Sequence, residues 1–227
     1  MTSAHNSDDI RIFHKECASL AKAGYDTYLV AKGESREEKG VHVVGVGPAP
    51  GSRLKRMALF SNKIYRRALA IDADIYHFHD PELLPYGLKL KKAGKKVIFD
   101  SHEDVSAQIK DKTWIPKLLR TFISRVYRVY EIKCVRRFDA VAAATPHIAS
   151  TLETYAKKVS VINNYPLLDD IEFHTTPFVQ REPIVCYAGG INQLRGEKVM
   201  VDAMKNTDGI LILAGGDKKF TIGDFTK

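Results

Sequence analysis

The chain has 227 residues, 44% of them hydrophobic and 27% charged. This globular mixture excludes an intrinsically disordered chain and leaves room for a full α/β domain plus part of another. Lysine and arginine outnumber aspartate and glutamate by 35 to 27, a net charge of +8, which favours nucleotide diphosphates, lipid phosphates, a membrane surface or nucleic acid without choosing among them.

In chain order, Met1 to His5 reads as the end of a first strand whose body is absent. Ile10, Phe13, Cys17 and Leu20 recur at helical spacing before Gly24, which predicts an amphipathic helix over 9–23. Strands are predicted at 27–31 and 41–46, a helix at 54–70, and a strand at 74–78 rich in β-branched and aromatic residues. A helix follows over 82–92, a strand over 96–99, a long helix over 116–136 and a small-residue strand over 140–144. Thr145 and Pro146 mark a helix start: a hydroxyl at the cap satisfies free amides, and proline at the first helical position loses no needed N–H. A strand at 159–162 closes the series.

Strands alternating with helices predict an α/β domain built on a doubly wound parallel sheet, covered on both faces. The stretch 167–183, with Asp169, Asp170, His174, Thr175, Thr176 and Pro177, has no period and is expected to be a linker. A strand at 184–188, a Gly189-Gly190 turn, a helix at 197–204 and a strand at 210–213 then begin a second α/β unit. The expected domains are 1–166 and 184–227, the second too small to be stable alone. Cys17, Cys134 and Cys186 are odd in number and lack C-x-x-C spacing, so buried free thiols in a reducing cytosol are expected. No apolar run has the length of a membrane span and no signal peptide pattern opens the chain, which points to the cytoplasm.

In open parallel sheets the ligand site lies beyond the carboxyl ends of the strands. Here those ends carry His79-Asp80, Asp100-Ser101-His102-Glu103 and Asn163-Asn164, so three strand ends direct polar side chains to one rim. Helix capping is the alternative use of Asp100, Ser101 and Thr145, and of a loop histidine at 102. His77 and His79 share a strand face, but no third ligand at a metal-binding spacing joins them, so no metal is expected. Gly189-Gly190 with Arg195-Gly196 would offer backbone amides and a guanidinium to a diphosphate, or be turn chemistry alone. Segment 112–136 is basic and amphipathic, with Trp114 near its start; its apolar stripe suits either an anionic membrane surface or the core. No nucleic-acid platform or recognition-helix motif is present.

The segments Thr2-Ser3-Ala4-His5, Asp9 to Glu16, Leu20 to Tyr25, His77 to Asp80 and Phe99 to Glu103 resemble those of family 4 glycosyltransferases. So do Phe138 to Val141 with Thr145, Val161 to Pro166, and Tyr187 to Gly190 with Arg195-Gly196. The resemblance is collinear over nearly the whole chain and is closest to the branch of bacterial surface-polysaccharide clusters. It implies a GT-B fold, with a retaining transfer from a nucleotide-diphosphate-sugar to a polysaccharide or lipid-linked oligosaccharide, and with neither metal nor cofactor. His102 would contact the donor sugar and align the reaction. Ser3, His5, Gly189, Gly190 and Arg195 would bind the donor, and Asp9, Arg11, His79, Asp80 and Glu103 would line the acceptor side. The resemblance also departs in two places: Gly190 stands where an arginine is common, and the family's two donor-binding glutamates would fall beyond Lys227. A truncated chain with little or no turnover is therefore expected. The alternative is a non-catalytic remnant that docks on a membrane, a glycan or a partner transferase.

Overall fold

The computed structural model describes residues 1–52, 55–112, 114–167 and 176–215. The predicted helix start at Leu54 and residues 168–175 of the predicted linker lie outside them. The chain divides into two compact units, Met1–Leu167 and Leu168–Lys227.

In the first unit, β1 (Thr27–Ala31), β3 (Val41–Gly45) and β2 (Arg36–Glu38) form one sheet in the order β1-β3-β2. A second, all-parallel sheet runs β4 (Ile75–Phe78), β5 (Lys96–Ser101), β6 (Ala140–Ala143), β7 (Val159–Val161). The N-terminal residues join the two. The Met1 amine donates to the His77 carbonyl at 2.6 Å, the Thr2 amide donates to the Val30 carbonyl at 3.0 Å, and Asn6 bridges Lys32 in parallel. The tetrapeptide 1–4 thus lies where a strand between β1 and β4 would lie. This is the switch point of a doubly wound sheet, from which consecutive strands step outward in opposite directions.

Helix α1 combines a wide-wound stretch, Ile10–Cys17, with Ala18–Lys22. Its opening is widened by i→i+5 bonding, the His14 amide donating to the Asp9 carbonyl at 3.4 Å. This changes the buried face: Arg11, Ile12 and Phe13 turn inward, whereas Ile10 and Leu20, expected on the apolar stripe, are exposed. Helix α2 runs over Arg56–Phe60 and Ser61–Leu69, and α3 over Leu84–Lys92 behind a short turn, Pro81–Leu83. Helix α4 (Val105–Asp111) is capped by Asp104, whose carboxylate accepts the Ala107 amide at 3.0 Å. Helix α5 is Lys117–Val135, and α6 is Pro146–Leu152 with Thr145 accepting the Ile148 amide at 3.2 Å. The sequence analysis did not anticipate β2 or α4.

The main core centres on Phe78, stacked on Phe99 with centroids 5.1 Å apart and met edge-on by Phe138 at 5.5 Å. Each such side chain contributes about 1.5–3 kcal/mol by leaving water. A second core of Ile12, Phe13, Leu29, Ala31, Val41 and Val43 fixes α1 on β1 and β3.

In the second unit, β8 (Ile184–Ala188) pairs in parallel with β9 (Ile210–Ala214), and α7 (Glu197–Met204) connects them. Ile184, Val185, Val199, Ile210 and Ile212 are exposed. Of the three thiols, Cys134 is buried and Cys17 half-buried, but Cys186 is exposed, contrary to expectation: it lies on the open face of a two-stranded sheet.

Candidate active site

The site of the first unit lies at the switch point, where the loop after the N-terminal tetrapeptide, the start of α1 and the ends of β4 and β5 meet. Asp80, just past β4 and buried, holds the loop down. Its Oδ2 accepts the Thr2 hydroxyl at 2.7 Å, the Ser3 amide at 2.6 Å and the Ala4 amide at 3.2 Å, and His5 Nε2 lies 3.6 Å from Oδ1. Ser3 Oγ donates to Glu82 at 2.8 Å, so the amide and hydroxyl of Ser3 are both engaged inside the protein. Asp9 caps α1, accepting the Arg11 and Ile12 amides, and also meets His5 Nδ1 at 3.1 Å.

Beneath this loop is a buried charged network. Arg11 Nη2 lies 3.0 Å from both Asp100 oxygens, Nη1 donates to the Ile162 carbonyl at 2.7 Å, and Nε donates to His102 Nε2 at 3.1 Å. His102 Nε2 lies equally close, 3.1 Å, to Asp100 Oδ1, so the ring is held between the guanidinium and the carboxylate. His79 Nδ1 lies 3.3 Å from His102 Nε2 and 3.6 Å from Asp100, and His77 stacks on His79 at 4.8 Å.

Glu16 completes the network. One carboxylate oxygen is 3.0 Å from Arg11 Nε, but the single N–H there points to His102, and neither Glu16 oxygen has a hydrogen-bond partner. Burial and the neighbouring Asp100 push the Glu16 carboxyl up to about 9. Burial acts on Asp100 in the same direction but is outweighed by the imidazoles of His102, His77 and His79 gathered around it, 3.1 to 3.6 Å away, which hold it well below the usual carboxylate range. Near neutrality the pair therefore keeps one proton, on Glu16. Burial also holds His79 well below its ordinary value, as a neutral imidazole.

Glu16, His79, Asp100 and His102 present ligand atoms all within 4.8 Å of one another, a set that could ligate a transition metal. Arg11 stands among them and already neutralises the carboxylates, so a dication would have to displace a guanidinium held by contacts to Asp100, His102 and Ile162.

Above the network opens a cavity of about 580 Å³. His5, His79, Asp80, His102 and Glu103 line its mouth, Tyr86 and Lys89 of α3 one wall, and Ile109, Lys112, Tyr127 and Tyr130 from α4 and α5 the other. Asp9 and Arg11 are not on its surface; they support residues that are.

Residues 11–165 match the sequence profile of Glycosyltransferase Family 4. The chain belongs to glycosyltransferase family 4. Its structure resembles that of sucrose-phosphate synthase from Thermosynechococcus elongatus, with a TM-score of 0.65 at 16% identity, over 97% of this chain and 60% of that one. A second structure of a sucrose-phosphate synthase from the same organism aligns with a TM-score of 0.48 at 12% identity, over 68% of this chain and 85% of that one. The first likeness is one of fold, the α/β fold of GT-B glycosyltransferases. The chain spans about 60% of the length of that relative. No curated protein matches it.

Among the residues anticipated for the family 4 site, His5, His79, Asp80, His102 and Glu103 converge on one cavity, with Ser3, Asp9 and Arg11 behind them. Gly189, Gly190 and Arg195 belong to the second unit. There the Gly189 amide donates to the Ala214 carbonyl at 2.8 Å, Tyr187 Oη donates to the Gly190 carbonyl at 3.0 Å, and the exposed Arg195 follows a turn capped by Asn192. Sequence reasoning missed Glu16, because a 3.6-residue period turns it outward while the wide first turns bring it in. It also missed the cavity wall of Lys89, Tyr127 and Tyr130, whose spacing resembles that of any core helix.

Proposed function

We propose that the protein is a retaining glycosyltransferase, moving a sugar from a nucleotide-diphosphate-sugar to a polysaccharide or lipid-linked oligosaccharide in bacterial surface-polysaccharide synthesis. It would work on the cytoplasmic side, peripheral to the membrane through segment 112–136. The convergence of His102, His79, His5, Asp80 and Glu103 on one cavity at the sheet's switch point carries this reading. Carboxylates and imidazoles suit the hydroxyl groups of a sugar, and Arg11 and Asp100 hold the His102 ring in place, each 3.1 Å from Nε2. The acceptor oxygen bonds to the anomeric carbon as the carbon–oxygen bond to the diphosphate breaks on the same face, and the acceptor's proton leaves with the diphosphate oxygen. No protein nucleophile is needed. Arg195 and the amides around Gly190 would stabilise the leaving charge, the largest demand of such a step.

The test is transfer of a labelled sugar, together with calorimetric titration of nucleotide sugars, on the wild type and on His102→Ala. The variant is expected to keep its circular dichroism and lose about 100-fold or more in rate. Unchanged turnover in His102→Ala would refute the assignment. A titration in which no nucleotide sugar binds at millimolar concentration would favour a non-catalytic docking module.

A further inference from the structure

We propose that the buried charged network is an inhibitory zinc site, in which a Zn²⁺ ion entering from the cavity takes His79, Asp100 and His102 from Arg11. The binding stands on geometry alone; its effect on turnover rests on the glycosyl-transfer reading above, in which the ion has no part.

Three ligands already stand at the spacing of one face of a tetrahedron. Zinc holds nitrogen and oxygen at about 2.0–2.1 Å, which puts neighbouring ligand atoms about 3.3 Å apart. His79 Nδ1 is 3.3 Å from His102 Nε2, His102 Nε2 is 3.1 Å from Asp100 Oδ1, and Asp100 Oδ2 is 3.6 Å from His79 Nδ1. Two imidazoles and a carboxylate form a donor set that suits zinc and leaves a fourth position open. Spacing along the chain does not display this set, because its members come from the ends of two parallel neighbours, β4 and β5.

The surrounding groups suit the same ion. A histidine that ligates through one nitrogen turns the other to a carboxylate or carbonyl, which fixes the ring. His79 Nε2 lies 3.7 Å from Glu16 Oε2, and both Glu16 oxygens are buried without a hydrogen-bond partner. His77 Nε2, also unpartnered, lies 3.6 Å from Asp100 Oδ2 and is left to hold that second carboxylate oxygen.

Arg11 now fills the place of the cation. Its Nη2 lies 3.0 Å from both Asp100 oxygens, and its Nε lies 3.1 Å from His102 Nε2. The network is therefore built around a positive charge, and zinc binding exchanges one cation for another at Asp100 instead of bringing a charge to an apolar core. The displaced guanidinium keeps the Ile162 carbonyl, 2.7 Å from Nη1, and turns Nε to Glu16 Oε1, 3.0 Å away. Glu16 thereby gains the partner that a buried carboxyl oxygen requires. The entry path is open, since His102 is 19% exposed and lines the cavity together with His79. A bound ion ties up His102, the residue assigned to the donor sugar, and so stops transfer.

The experiment is equilibrium dialysis of the whole chain against Zn²⁺, with a parallel titration by Co²⁺, whose visible absorption reports a four-coordinate shell. Cys186→Ser in every sample removes the exposed thiol as a rival ligand. One ion per chain is expected, with the cobalt absorption lost on adding Zn²⁺. His102→Gln and Asp100→Asn should each weaken binding by about 100-fold or more, and Glu16→Gln by about ten-fold. Arg11→Met removes the competing cation and should tighten binding by about ten-fold or more. Zinc should also raise the melting temperature of that variant. Circular dichroism checks each fold; should Asp100→Asn unfold, His102→Gln at the cavity surface decides. Zinc held equally well by His102→Gln lies elsewhere and overturns the inference. So does the lack of a stoichiometric ion in both the wild type and folded Arg11→Met. In the transfer assay Zn²⁺ should abolish turnover and a chelator restore it, and transfer that persists with the site filled overturns the inhibition. A filled site on a chain that transfers no sugar at all leaves the zinc site standing and removes the proposed function alone.

Discussion

The Glu16–Asp100–His79 network makes stability depend on pH in both directions. Folded Glu16 holds its proton up to about 9, against 4.5 ordinarily. Between those values the folded state binds the extra proton, so this contribution is complete below about 4.5 and is lost as pH rises toward 9. His79 acts at the other end. Its folded form resists a proton that the unfolded chain accepts near 6.5, so stability falls as pH drops below that value. Asp100, held low, adds a loss at still lower pH, below about 3.8. Urea denaturation at pH 7 to 9, above the range where His79 acts, should therefore show wild-type stability falling as pH rises, and Glu16→Gln should flatten that slope. An equally steep slope in the variant would contradict a proton held at Glu16. His102 and Asp100 were legible in the sequence because a strand end is a recognisable place, but Glu16 was not, since its inward direction depends on how α1 is wound.

At the scale of elements, the sharpest constraint is Gly87. A Cβ there would lie 2.7 Å from Phe78 Cε1 and 2.9 Å from Phe138 Cζ, on rings packed against each other. Gly87→Ala gains about 1 kcal/mol of helix propensity, but crowding of this kind costs about 1–3 kcal/mol. The expected outcome is a melting temperature lowered by a few degrees, where an exposed helical glycine would raise it. The strands were readable almost residue by residue, because a parallel sheet covered on both faces demands unbroken apolar runs such as 140–143. Strand β2 was not, being an antiparallel edge of sequence Arg-Glu-Glu, paired by its backbone alone. Helix α4 was too short to establish a period, and α5 gave a clear period whose apolar side proved to face outward.

For the whole molecule, stability is unevenly spread. Strand β5 carries four buried residues and has partners on both edges, whereas among the described residues β8 and β9 pair only with each other and expose most of their side chains. Local opening follows buried contact, so hydrogen exchange in β8 and β9 should be faster than in β5 and β6 by orders of magnitude. Comparable protection in both units would show that something further covers the second sheet. Which surfaces stay open depends on packing that no periodicity encodes. Cys186, the exposed thiol of the second unit, has a practical consequence. A dye attached to it reports opening of the β8–β9 sheet by itself and requires no engineered residue.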